Sequence, residues 1–197
     1  NAFARDDRGK LLVGGVHGIN IYDNMLSQNI GDRDGLNLPV IDLAPIGDKL
    51  AVLTGKGLVI FSRDEEKPRV EIQEVVGERP YDLDVAALEM QAFEPHGLSF
   101  RLPSLHFEYR GSSLKTRPTA LAFQYRLLGY NDEWAVTRDA RVSFPHNGGK
   151  SIEPGKYTFE VRAIDRDLMY GEPDRIEIDI IWPVWIIAQY IGLLVGI

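Results

Sequence analysis

Residues 155–167, GKYTFEVRAIDRD, set Tyr157, Phe159, Val161 and Ala163 two apart, with Lys156, Thr158, Glu160 and Arg162 between them. Successive side chains on a strand point to opposite faces, so this period buries one row and leaves the other for water. The same alternation recurs through Phe100, Leu102, Leu105, Phe107 and Tyr109, then through Leu121, Phe123, Tyr125 and Leu127. It appears briefly in ARVSFPHN (140–147) and closes with Ile176, Ile178 and Ile180. Gly, Pro and Asn turns separate the segments. Short alternating runs between such turns predict an all-β fold, with a β-sandwich over residues 93–181.

Upstream the pattern is different and repeats itself. LLVGGVHGINIYDN (11–24) and AVLTGKGLVIFSRD (51–64) fall into register when Gly18 is set on Gly57, an offset of 57 − 18 = 39 residues. Leu12 then lies over Ala51, Ile21 over Ile60 and Tyr22 over Phe61. Each copy reads as a hairpin, and LPVIDLAPIGDKL between them reads as another strand–turn–strand with Gly47-Asp48 at its turn. A period of about 40 residues built from short strands fits propeller blades better than helical repeats. Two similar hairpins also arise by chance in an all-β domain. Two blades cannot close a ring, so the blade reading of residues 1–76 puts the remaining blades before Asn1. Residues 77–92 are read as a connector, in which VAALEMQAF (85–93) suits either a short helix or a strand.

The end of the chain departs from both patterns. From Ile181 to Ile197 no residue is charged, and a helix needs roughly 20 apolar residues to cross a bilayer. Trp182 and Trp185 stand where the interface would seat them, and Pro183 suits a first helical turn. Residues 182–197 are therefore expected to start a transmembrane helix, against the plainer reading of a buried terminal element. The acidic residues just before it (Glu172, Asp174, Glu177 and Asp179) suit the non-cytoplasmic side. With no initiator Met and an apolar run at its end, the chain is expected to be an internal piece of a longer protein.

The net charge of −7 comes with scattered rather than clustered basic residues, which argues against nucleic acid as a partner. The absence of cysteine removes disulfides, thiolate metal sites and thiol nucleophiles. His17, His96, His106 and His146 have no metal-ligand spacing. Asp132-Glu133, Asp165/Asp167 and Asp82/Asp84 offer paired carboxylates, but catalysis also needs a pocket and shifted pKa values. Residues 23–35 lack the order of ligands of a calcium loop, and TGKG (54–57) lacks the spacing of a phosphate loop. No catalytic residue, cofactor site or metal site is expected in this chain.

FQYRLLGYNDEW (123–134) followed by IEPGKYTFEVRAID (152–165) resembles the three-Tyr-motif (Y_Y_Y) domain of bacterial two-component regulators. The residues carrying the resemblance are Tyr125, Arg126, Leu127, Gly129 and Trp134, then Pro154, Gly155, Tyr157, Phe159, Val161 and Ala163. The same stretches are similar to immunoglobulin- and fibronectin-like sandwiches in general. LLVGGVHGINIYD loosely follows the wording of regulator-type sensor propellers. The motif residues have architectural readings. Tyr125 and Tyr157 are expected in the core with hydroxyls on backbone partners, Trp134 at the sandwich end bracing the 131–133 turn, and Gly155 in a glycine-requiring turn.

The resemblance implies a periplasmic sensor segment anchored in a bacterial inner membrane, paired as a homodimer through its sandwich and membrane helix. It implies an output past the membrane, either a histidine kinase (ordinary or hybrid) or a diguanylate cyclase, and an unidentified ligand for the propeller, carbohydrate being one class. The alternative is a membrane-anchored carbohydrate-binding or adhesion module without signalling output. A soluble accessory module of a sugar-cleaving enzyme is a third, minor reading.

Overall fold

The computed structural model describes residues 2–23, 25–62, 65–77, 80–81, 87–91, 94–96, 99–101, 104–145 and 152–181. Among them the regular structure is β throughout, apart from two single 3-10 turns at Asp32–Asp34 and Pro118–Ala120. The chain folds as two compact units. The first holds Asn1–Pro68, Ser112–Ala122 and Ile164–Gly171; the second holds Arg69–Gly111, Phe123–Ala163 and the segment beginning at Glu172.

In the first unit, β1 (Ala2–Arg5), β2 (Leu11–Gly15), β3 (Gly18–Tyr22) and β4 (Ser27–Ile30) form an antiparallel meander in sequence order. A second meander follows in β5 (Val40–Ile46), β6 (Lys49–Thr54) and β7 (Gly57–Ser62). The 39-residue offset holds at the level of strands. β3 opens at Gly18 and β7 at Gly57, both with left-handed φ (103° and 133°), each after a two-residue turn. Moved by 39 residues, β1 falls inside β5 and β2 inside β6. The recurrence ends there: β4 moved by 39 meets residues 66–69, where no second-meander strand forms.

The two meanders share one core. Ala2, Leu12, Ile19, Ile21 and Ile30 of the first join Val40, Leu43, Leu50 and Val52 of the second, with Leu36, Ala122, Ile164 and Leu168 completing it. Gly14 makes the closest approach possible: a Cβ there would lie 2.5 Å from Val40 Cγ1 and 2.8 Å from Leu43 Cδ2. The opposite face of the second meander is apolar yet exposed at Ile46, Leu53, Leu58 and Ile60.

The second unit is a sandwich. Its strands are β8 (Arg69–Val76), β9 (Pro80–Tyr81), β10 (Ala87–Gln91), β11 (Glu94–His96), β12 (Ser99–Arg101) and β13 (Leu105–Ser112). They continue with β14 (Ala122–Leu128), β15 (Asn131–Thr137), β16 (Arg141–Phe144), β17 (Gly155–Ile164) and β18 (Asp174–Ile181). One sheet has the order β16-β13-β8-β9 and the other β10-β18-β17-β14-β15, while β11 and β12 pair as a hairpin. The rows read from the alternation meet in an aromatic core. Phe107 of β13 stacks on Phe159 of β17 at 3.7 Å between centroids, nearly parallel, and Phe144 meets both edge-on. Tyr109 packs edge-on against Phe123 and donates its hydroxyl to the Asp139 carbonyl.

Three sequence expectations change on this evidence of pairing. Residues 70–76, assigned to the blade region, form β8 inside the sandwich beside β13. The connector at 77–92 is in part sandwich, because β10 lies parallel to β18 at its sheet edge. That pairing also makes Ala87–Gln91, within the ambiguous stretch 85–93, a strand; residues 85, 86, 92 and 93 lie outside the described residues. The run 182–197, with Trp182, Pro183 and Trp185, lies outside the described residues; among those described, no helix is long and apolar enough to cross a membrane.

Candidate functional site

The motif residues of the sandwich gather around the β14–β15 hairpin and the start of β17. Tyr125 and Phe159 are buried in the core. Burial raises the phenol pKa of Tyr125 above its ordinary value, and Asp139 pushes the same way. Gly129 turns the hairpin with φ 88°, and a Cβ there would come within 2.9 Å of the Lys156 carbonyl, so a side chain is excluded by both conformation and space. Its N–H donates to Asp132, whose carboxylate closes the turn. Tyr157 is only half-buried and donates its hydroxyl to the Glu153 carbonyl at 2.8 Å. Pro154 precedes β17, and Gly155 opens that strand without left-handed φ and with ordinary space around its Cα. Its expected role in a glycine-requiring turn is therefore not realised; Gly129 has that role.

Trp134 also differs from expectation. It lies within β15 rather than at the sandwich end, with the guanidinium groups of Arg126 and Arg162 each 4.4 Å from its ring centroid. Both arginines are fixed from behind. Arg126 forks onto Glu160 at 2.8 and 2.7 Å, and Arg162 onto the Gln124 side-chain carbonyl at 2.9 and 2.6 Å. Glu160 and Gln124 are buried beneath these groups. The signal was present in sequence as Q-x-R in β14 and E-x-R in β17, on the parity taken for a solvated row.

A concave feature belongs to the first unit. A cleft of about 550 Å³ is lined by His17 of the β2–β3 turn, residues 28–34, the connection 115–120 and Arg166. The Asp34 carboxylate accepts the Gly31 N–H and, on its other oxygen, the Arg166 guanidinium at 2.6 Å. The Arg166 N–H donates to the buried Thr116 hydroxyl at 3.0 Å. Lys115 lies 3.1 Å from the wholly buried Asp165 and 3.5 Å from Asp167. Asp165 in turn accepts the N–H groups of Asp167 and Met169, which folds the chain so that Leu168 takes a left-handed φ of 55° with its side chain in the core. Lys10 donates to the carbonyls of Asp167 and Leu168. Burial, chiefly, lowers the Lys10 pKa, and burial with the adjacent Asp165 raises that of Asp167.

This knot of two lysines, an arginine and three aspartates was seen in sequence only as the carboxylate pair Asp165/Asp167. Lys10, Asp34 and Lys115 are far in the chain from the run 165–167, so no local spacing advertises it. Its chemistry is that of positioning: Lys115 and Arg166 have carboxylate partners, Lys10 is held by backbone carbonyls, and the cleft side chains they steady are donors and acceptors. Among the described residues no group of three or more His, Cys, Asp or Glu side chains is placed to hold a metal ion.

No curated protein sequence matches the chain. Among solved structures it is similar to the extracellular domain of BT4673 from B. thetaiotaomicron, described as a hybrid two-component system. The identity is 15% and the TM-score 0.45, over 96% of this chain and 31% of that one. A second structure of that domain, described as a one-component system, gives 17% and 0.42 over 94% and 30%. The fibronectin(III)-like modules of Clostridium thermocellum CbhA give 14% and 0.41 over 88% and 84%. The chain thus spans less than a third of the first two structures' length. Residues 115–181, which include both stretches of the sequence resemblance, match the Y_Y_Y domain family: a Y_Y_Y domain is found there.

Proposed function

We propose that this chain is the sensing and signal-transmission segment of a membrane-bound receptor of the two-component type, exposed outside the cytoplasm. One observation carries the reading. The connections that join β13 to β14 and β17 to β18, both within or reaching into the Y_Y_Y domain, fold as part of the first unit and line its cleft. A ligand there touches residues covalently continuous with central sandwich strands. It changes the signal only if it binds two arrangements of those connections unequally, because a ligand indifferent to both shifts nothing.

On this reading the two meanders are blades of a larger propeller. The exposed apolar face at Ile46, Leu53, Leu58 and Ile60 is the face that a neighbouring blade would cover. The sandwiches of two copies pair, residues 182–197 enter the membrane, and a kinase or diguanylate cyclase lies beyond. The test is the cellular location of the full-length protein. It is expected in the membrane fraction, released only by detergent, with this segment cleaved by protease added to spheroplasts. Recovery in the soluble fraction after lysis without detergent overturns the receptor and leaves a globular binding module.

A further inference from the structure

We propose that the cleft of the first unit takes a small hydrophilic oxyanion, held between Arg33 on the Asp32–Asp34 turn and Arg117 on the connection to β14. The inference deepens the sensor reading by naming the ligand class of its cleft. Four cations line the cavity: Arg33, Lys115, Arg117 and Arg166. Two are already committed, Lys115 to Asp165 and Asp167, and Arg166 to Asp34. Arg33 and Arg117 are exposed, and neither side chain has a partner among the described residues. Of the unpaired charges on the lining, Asp32 offsets only one of these two, so a positive balance is left for a guest.

The lining also says what the guest lacks. Among the described residues Ala120 is its only aliphatic side chain and no Phe, Tyr or Trp lines it, so a ligand with an apolar or stacking face finds little to lie against. Guanidinium groups recognise planar and tetrahedral oxyanions through paired N–H donors, in which charge and geometry act together. The cavity is large enough for phosphate or a tricarboxylate.

The test titrates purified full-length protein with phosphate, sulfate and citrate by calorimetry, in chloride buffer of matched ionic strength. Saturable binding of at least one probe is expected. Arg33→Gln and Arg117→Gln should each weaken it about tenfold, the double variant should abolish it, and Arg5→Gln should leave it unchanged. Preference for phosphate or sulfate over citrate assigns an inorganic or ester oxyanion, and the reverse assigns a carboxylate. No saturable binding of any probe, or binding that survives in the double variant with unchanged circular dichroism, overturns the proposal. A protein that binds the probes yet needs no detergent for extraction keeps this site and loses the receptor; the converse keeps the receptor and loses the site.

Discussion

Gly14 offers a direct test of the way the two meanders pack. A Cβ there would stand 2.5 Å from Val40 Cγ1, 2.8 Å from Leu43 Cδ2 and 3.0 Å from Val40 Cβ, where carbon atoms in contact prefer about 3.5–4.0 Å. Gly14 does not have left-handed φ, so alanine meets no backbone penalty and the substitution reports packing alone. Overpacking costs about 1–3 kcal/mol, and removing the glycine's extra backbone freedom returns about 0.5–1 kcal/mol. Gly14→Ala should therefore lose between about 0 and 2.5 kcal/mol. Val40→Ala deletes the clashing carbon and its twin at roughly 0.8 kcal/mol each, with a further loss for the cavity. In the double variant the new methyl fills part of that cavity, and two close atoms remain: the Cβ at position 40, 3.0 Å away, and the end of the Leu43 side chain, which can rotate aside. The double should be more stable than the sum of the singles by about 1 kcal/mol, as expected for residues in contact. Hydrogen exchange of peptides covering β2 and β5 in graded urea reads the first unit without interference from the second. Strict additivity would refute the packing.

Two further perturbations address the buried charges. Arg126→Met strips the fork from Glu160, which is buried and keeps only Arg175 at 3.7 Å. An underserved buried acceptor costs about 1–3 kcal/mol and one stacked guanidinium about 0.5–1 kcal/mol. Urea unfolding followed by exchange of β14 and β17 should show that loss, and adding Glu160→Gln should recover part of it; an unrecovered loss would assign the effect to packing. Asp167→Asn tests the raised pKa of that carboxyl. A carboxyl raised above its unfolded value of 3.8 favours the folded state when protonated, so its contribution is fullest below 3.8 and is lost as pH rises through the raised value. The stability difference between wild type and Asp167→Asn should shift against wild type on going upward from pH 3.8, then level off. A difference that is flat across that window would remove the shift.

Period-two alternation made the sandwich strands legible because each of them buries one complete row. Tyr125, Phe159 and Val161 were readable for that reason, and the 39-residue offset was readable because it fixes where β3 and β7 begin. The boundary was not. VEIQEVV is a good strand in any sheet, and only its partner β13, more than twenty-five residues on, assigns it to the sandwich. Trp134 was misplaced for a related reason: an aromatic next to an N-D-E turn looks like a turn brace. Its true neighbours Arg126 and Arg162 come from two other segments of the chain. The cleft was invisible because it is assembled from four separated stretches, none of which carries a motif.

The two connections that line the cleft are held very differently, and this bears on which of them could respond to a ligand. Ile164–Gly171 is over-determined. A non-glycine residue in the left-handed region persists only where its surroundings insist on it, and here Asp165, Lys10 and the core around Leu168 all do so. Shifting it means breaking several buried bonds together. Ser112–Ala122 is tied at Lys115, at Thr116, by a long 3.5 Å bond through Gln28 to the Ala120 carbonyl, and at its end by the buried Leu121 and Ala122, while Leu114 and residues 117–120 are exposed. Lys115 and Thr116 reach onto the fixed connection, so it serves as the reference against which the other is measured. On the sensor proposal, an anion bridging Arg33 to Arg117 adds a tether where Ser112–Ala122 is least restrained and leads directly into β14. The responsive element is then the connection that the ligand grips, and the ionic knot beneath it is what keeps the response from dissipating into the first unit.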